Sequence, residues 1–236
     1  MVETYIKYIP VINGAIFFLA ANILIYKTRR ASSSSIKNIF WAFTAFCVMK
    51  SMSLLSAAPL KIFPANEIML GENMLLTIIL NVITGLSLVI SNVFLFHFGI
   101  SMATYKMSVR IDFKVFPVIL FVAYLIMYFS KMMSPQDIEK ISLYGFAFSG
   151  TFLGSIGCFN LYQIKKTSRD KKLLSGLIIC GVSLIFYSMV EGIVTKPVLG
   201  SAAELLRLLT AAALFVASLF MTALLKEEKE RKIGYI

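Results

Sequence analysis

FWAFTAFCVMKSMSLLSAAPL, residues 40–60, sets about twenty mostly apolar residues around one full positive charge, Lys50, with no acid in the same segment. A run of that length matches the hydrocarbon thickness of a bilayer, roughly 20 residues at 1.5 Å each. A lysine inside it costs about 2.5–3.5 kcal/mol on insertion scales unless something compensates. What compensates Lys50 is the sharpest question in the chain.

The rest of the sequence places this segment in a membrane. Of 236 residues, 58% are hydrophobic and 15% charged, and the mean hydropathy is +0.83; soluble domains carry about a quarter charged residues. Seven apolar segments, 9–26, 39–58, 73–98, 115–130, 143–163, 173–194 and 203–225, use nearly the whole length. The expected fold is an all-α integral membrane protein, a single seven-transmembrane-helix domain over 1–225. A charged helical extension, 226–236, follows it.

Charge gives the orientation. With the N-terminus outside, the inner connections hold sixteen bases, among them Lys27, Arg29, Arg30, Lys165, Lys166, Lys226 and Lys229. The outer connections hold five: Lys7, Lys61, Lys131, Lys140 and Lys196. In short loops that asymmetry predicts N-terminus out and C-terminus cytoplasmic, in the cell membrane. The net charge of +11 then falls on the inner side, where it meets anionic lipid heads. No loop is long enough for a nucleic-acid module, so membrane lipids are the expected partners. The first segment is read as a retained anchor, because it lacks a basic leader and runs into KTRR instead of a cleavage site.

The polar residues inside the spans are few. Asn22, among small alanines, is expected to bond a neighbouring helix. Thr77, Asn81, Thr84, Leu88 and Ser91 share one face of the third segment, expected to point into the bundle. Gly150 and Gly154 make a GxxxG spacing that reads as an intramolecular helix contact. Cys47, Cys158 and Cys180 are odd in number and read as packing residues. In the sixth segment Gly176, Cys180, Ser183, Tyr187 and Glu191 form one stripe, and Glu204 and Arg207 open the seventh. Ser134 with Pro135 is a helix start in the outer loop.

Enzyme signatures are absent: no HExxH, GxSxG, P-loop, glycine-rich dinucleotide turn or CxxC occurs. One histidine, His97, cannot build a histidine metal site or bis-imidazole haem ligation. Retinal would need a lysine midway along the seventh segment, where the first is Lys226. No catalytic residue, metal or cofactor is therefore expected. What remains is a constellation at one depth in the outer half: Lys50, Glu191, Glu204 and Arg207, with Glu72 near the mouth. Two readings compete. Lys50 pairs with Glu191 (Glu204 and Glu72 being alternates) or snorkels outward, and only ties helices together. Or the same charges, with Asn81, Thr84 and Tyr187, line an outer pocket for a small ligand, Lys50 or Arg207 taking an anionic group.

LIYKTRR at 24–30, NIFWAF at 38–43, FLFHFGI at 94–100 and LYQIKKTSRDKKLLSG at 161–176 resemble the seven-transmembrane N-terminal sensor module of prokaryotic histidine kinases. In that family cytoplasmic signalling domains follow the module, whereas this sequence runs only to the charged extension, and no kinase signalling of its own is expected from it. The resemblance implies a sensor fragment, or a stand-alone relative acting through a cytoplasmic or membrane signalling partner. The expected function is ligand reception in the outer half, passed to the inner tail through helix packing. A small-solute transporter or transporter subunit is the first alternative and a membrane scaffold or assembly protein the second.

Overall fold

An unpaired peptide N–H or C=O inside a bilayer costs several kcal/mol, so apolar runs of this length close their own hydrogen bonds as helix. The computed structural model describes residues 6–29, 34–62, 73–105, 134–166, 171–193 and 201–233, with 118–119, 122–123, 126 and 130. Among these, α1 spans Ile9–Arg29, α2 Ser34–Ile62 and α3 Asn73–Ala103. The short α4, Pro135–Ile141, continues through a π-helical segment, π1 (Ser142–Phe148), into α5, Ser149–Lys165. Helix α6, Lys171–Ser188, ends in a second π segment, π2 (Met189–Ile193), and α7 runs from Ser201 to Ile233. Six of these stretches are long and apolar enough to cross a membrane. The chain is a multi-pass, all-α membrane protein; no strand occurs among the described residues.

The predicted start at Ser134 is present. Its side chain accepts from the Asp137 N–H, and Pro135 occupies the first turn, where a missing N–H costs nothing. Helix α7 begins at Ser201 and continues through KEEKERK to Ile233. The fourth predicted segment, 115–130, lies mostly outside the described residues. Within it Val118, Ile119, Val122 and Ile126 are helical and exposed.

The six spans close into a ring in the order α1, α2, α3, α5, α6, α7 and back to α1. Its outside is apolar, with Phe18, Leu19, Phe152, Phe186 and Leu209 all more than half exposed, as a lipid-facing surface requires. Its inside is filled by aromatic rings. Phe46 meets Phe17 edge-on at 5.6 Å and Tyr187 at 5.8 Å, and Phe43 bridges Phe46 and Phe98. Cys47, Cys158 and Cys180 are buried thiols in this core.

Small residues set the closest approach, between α3 and α5. A Cβ on Gly150 would stand 2.5 Å from the Phe96 Cα, and one on Gly157 2.5 Å from the Met102 carbonyl carbon. The GxxxG spacing is thus an intramolecular seam. Its contacts climb together: Asn92 with Ser142, Phe96 with Gly150, Met102 with Gly157. Helices α3 and α5 therefore run parallel. By contrast, Phe17 meets Phe46 while Gly14 meets Leu55, so α1 and α2 are antiparallel.

Two expectations fail on side-chain direction. Asn22 is exposed, and its amide donates to the Phe18 carbonyl of its own helix, 2.8 Å away. The bond that satisfies it is local because no neighbour among the described residues covers that face of α1. On α3 the polar stripe divides: Ser91 is buried, but Asn81 is exposed. The bundle packs against only the lower part of that face.

A buried charge network as the candidate functional site

Lys50 lies in the C-terminal half of α2 with 5% of its side chain exposed. Nothing on α2 can neutralise it, so the counter-charge comes from another helix. Its Nζ is 3.3 Å from Glu191 Oε1. The same ammonium stands 5.4 Å from the centre of the Tyr187 ring, within cation–π range. The snorkelling alternative fails, because the charge turns inward to a carboxylate.

Glu191 serves a second cation. Arg207 Nε, on α7, is 3.7 Å from Glu191 Oε2, while its Nη1 donates to Glu204 Oε1 at 3.2 Å. Lys61, in the last turn of α2, reaches Glu204 Oε1 at 3.6 Å. One carboxylate thus ties α2 and α7 to the end of α6. Removing the Glu191 carboxylate would leave the Lys50 ammonium, the most buried member of the set, uncompensated, which costs about 3–5 kcal/mol.

Local structure puts Glu191 there. Gly176, Cys180, Ser183 and Tyr187 bury one stripe of α6, and a regular helix would carry that stripe on to residue 191. Glu191 keeps to that side although it lies in π2, and lines the same chamber as Tyr187. Helix α1 is pinned opposite by the Ser51 hydroxyl, which donates to the Gly14 carbonyl at 2.8 Å.

Between these elements lies a small chamber lined by Asn13, Phe17, Lys50, Leu54, Tyr187, Val190, Glu191, Arg207 and Thr210, with about 10 Å³ open to the centre of a water. That is room for about one water molecule. Three polar atoms on its wall make no hydrogen bond of ordinary geometry: Asn13 Oδ1, the Tyr187 hydroxyl and Arg207 Nε. Its floor is the aromatic cluster, since Phe17 both lines the chamber and packs on Phe46.

Of the residues expected from sequence, Lys50, Tyr187, Glu191, Glu204 and Arg207 converge here. Asn81 and Thr84 do not. Asn81 is exposed on α3. Thr84 is occupied by α2: its hydroxyl is 2.9 Å from the Ser56 hydroxyl and its carbonyl accepts from Ser53. Glu72 lies outside the described residues. Sequence reading missed Asn13, Phe17, Thr210 and Lys61. Asn13 and Phe17 are four residues apart on one face of α1, a signal that was present. No group of three or more metal-binding side chains occurs among the described residues. No protein-family model, curated protein or solved structure matches the chain.

Proposed function

We propose that the chain is a receptor-type membrane module of seven spans, N-terminus out, in which an outer-half ligand alters the Glu191 network and the change travels along α7 to a partner at the inner tail. One observation carries the reading. A single buried carboxylate holds Lys50 of α2 and Arg207 of α7 at once. Anything that competes for Glu191 therefore loosens two inter-helix ties together. The likeness to histidine-kinase sensor modules agrees in kind, and a plasma-membrane location goes with it.

The seven-span count draws support from helix direction. Parallel neighbours α3 and α5 are separated by residues 104–134, and parallel spans need one more crossing between them. The apolar segment 115–130 has the length for it.

Transport is the second reading, favoured by π1 and π2, since interrupted helices often flank solute sites. The aromatic floor favours reception: Phe17, which lines the chamber, packs edge-on against Phe46 behind it. Nitroxide labels at Asn38 and Leu219, both toward the inner side, test the coupling. Glu191→Gln should shift or broaden their distance distribution in lipid nanodiscs. An unchanged distribution in the folded variant rejects reception through this network.

A further inference from the structure

We infer that the chamber beside Glu191 takes up one halide-sized monoanion together with one proton, an inference that rests on the pocket reading above and gives it a ligand class. Size comes first. A space that admits about one water excludes polyatomic ligands larger than a few atoms. The lining chemistry comes next. The wall offers donors: the Lys50 ammonium, the Tyr187 hydroxyl and the Arg207 Nε–H, the last two without an acceptor at hydrogen-bonding geometry. Its orphan acceptor is Asn13 Oδ1, 97% buried with its residue. A resting water would satisfy that set by accepting from both unpaired donors and donating to Asn13 Oδ1. A halide satisfies the donors better, because each bond is then charge-assisted.

Charge balance adds the proton. The groups facing Glu191 are Lys50 from α2, Arg207 and Glu204 from α7, and Tyr187 on its own helix, with Lys61 behind Glu204 at the rim; α1 presents only the neutral Asn13. Lys61 is 38% exposed at the rim, where solvent screens its charge; the two cations that line the chamber, Lys50 and Arg207, already meet two carboxylates, so a bare anion would add a buried negative charge with no buried cation left to compensate it. A proton on Glu191 cancels it. The halide then inherits the two cations that Glu191 releases, and the new carboxyl O–H is a donor in the chamber that holds the Asn13 acceptor. No covalent bond forms; one proton moves from solvent to a Glu191 oxygen.

The test uses the full chain in nanodiscs, with gluconate as inert anion and sodium bromide as titrant. Bromide should raise the unfolding temperature. Its apparent Kd should weaken about tenfold per pH unit across about pH 5.5 to 7.5, the slope of one linked proton. In weak buffer, a pH dye should count one proton taken up per bromide. In Glu191→Gln, bromide should stabilise at the highest pH more than in the parent, with no proton uptake, because the ion replaces the missing carboxylate. Lys50→Met should lose the response. Bromide binding by the parent without proton uptake overturns the inference, and so does the absence of a bromide response at every pH. Should Glu191→Gln not fold, the parent's proton count decides alone. Failure of the receptor reading looks different: bromide binds with its proton while the Asn38–Leu219 distance stays fixed.

Discussion

Glu191 answers to two cations, and Lys50 to one carboxylate, so the two ends of this ion pair are not equivalent. Losing the Glu191 charge strands both Lys50 and the Nε side of Arg207. Losing Lys50 leaves Glu191 with Arg207 3.7 Å away. Glu191→Gln should therefore cost more than Lys50→Met, the former about 3–5 kcal/mol as expected for a broken buried pair. Unfolding in a mixed-detergent titration measures both. A Lys50→Met variant at least as damaged as Glu191→Gln would remove Glu191 from the centre of the network. Reversing both charges should restore stability only in part, because a lysine at 191 would then face Arg207. The pairing was legible in the sequence because both residues count to the same depth and the α6 stripe points inward. Arg207 as the second cation was legible only as a neighbour in depth. The π-helical form of the segment that carries Glu191 was not, since a five-residue π segment has no composition of its own.

At the scale of elements, the α3–α5 seam is built from missing side chains. Gly150→Ala would set a methyl group against the Phe96 backbone at 2.5 Å, with no flexible atom to yield. Overpacking of this kind costs about 1–3 kcal/mol, and here it acts on two rigid helices. Gly145, in π1 of the same span, has nothing within 4 Å of its would-be Cβ. Gly145→Ala should be neutral or slightly stabilising, and thermal unfolding of the two variants side by side checks the contrast. Loss of stability in both would assign the effect to the π-helical span and not to the seam. This spacing announced a contact in the sequence, but not its direction. Asn81 shows the converse limit. Helical periodicity places it on the Thr84 face, yet a face says nothing about how far along it a neighbour reaches.

For the whole molecule, direction becomes topology. If residues 104–134 cross the bilayer, Thr104 and Lys140 lie on opposite sides of it. Cysteines introduced singly at these positions should react differently with a membrane-impermeant maleimide in intact cells. Lys140→Cys should label directly and Thr104→Cys only after permeabilisation. The native thiols, all buried, should stay silent. Labelling of both from one side would remove the extra crossing, and with it the seven-span count. The class of fold was readable from hydropathy alone because a bilayer tolerates so few backbone solutions. The direct contact of α3 with α5 was not readable, because it depends on glycine contacts between segments distant in sequence.

Helix α7 has one more property that matters at this scale. From Ala202 to Ile233 it contains neither glycine nor proline, the residues at which helices most often kink. Arg207 sits in its second turn, and the helix runs on for 26 residues beyond it, about 39 Å at 1.5 Å per residue. Such a rod is a lever with its short arm in the charge network. Tilting it by about 5° carries the far end through roughly 3 Å, from the same helical rise. A rearrangement no larger than the exchange of one ion beside Glu191 is thereby enlarged, by geometry alone, to the width of an atom at the far end of α7.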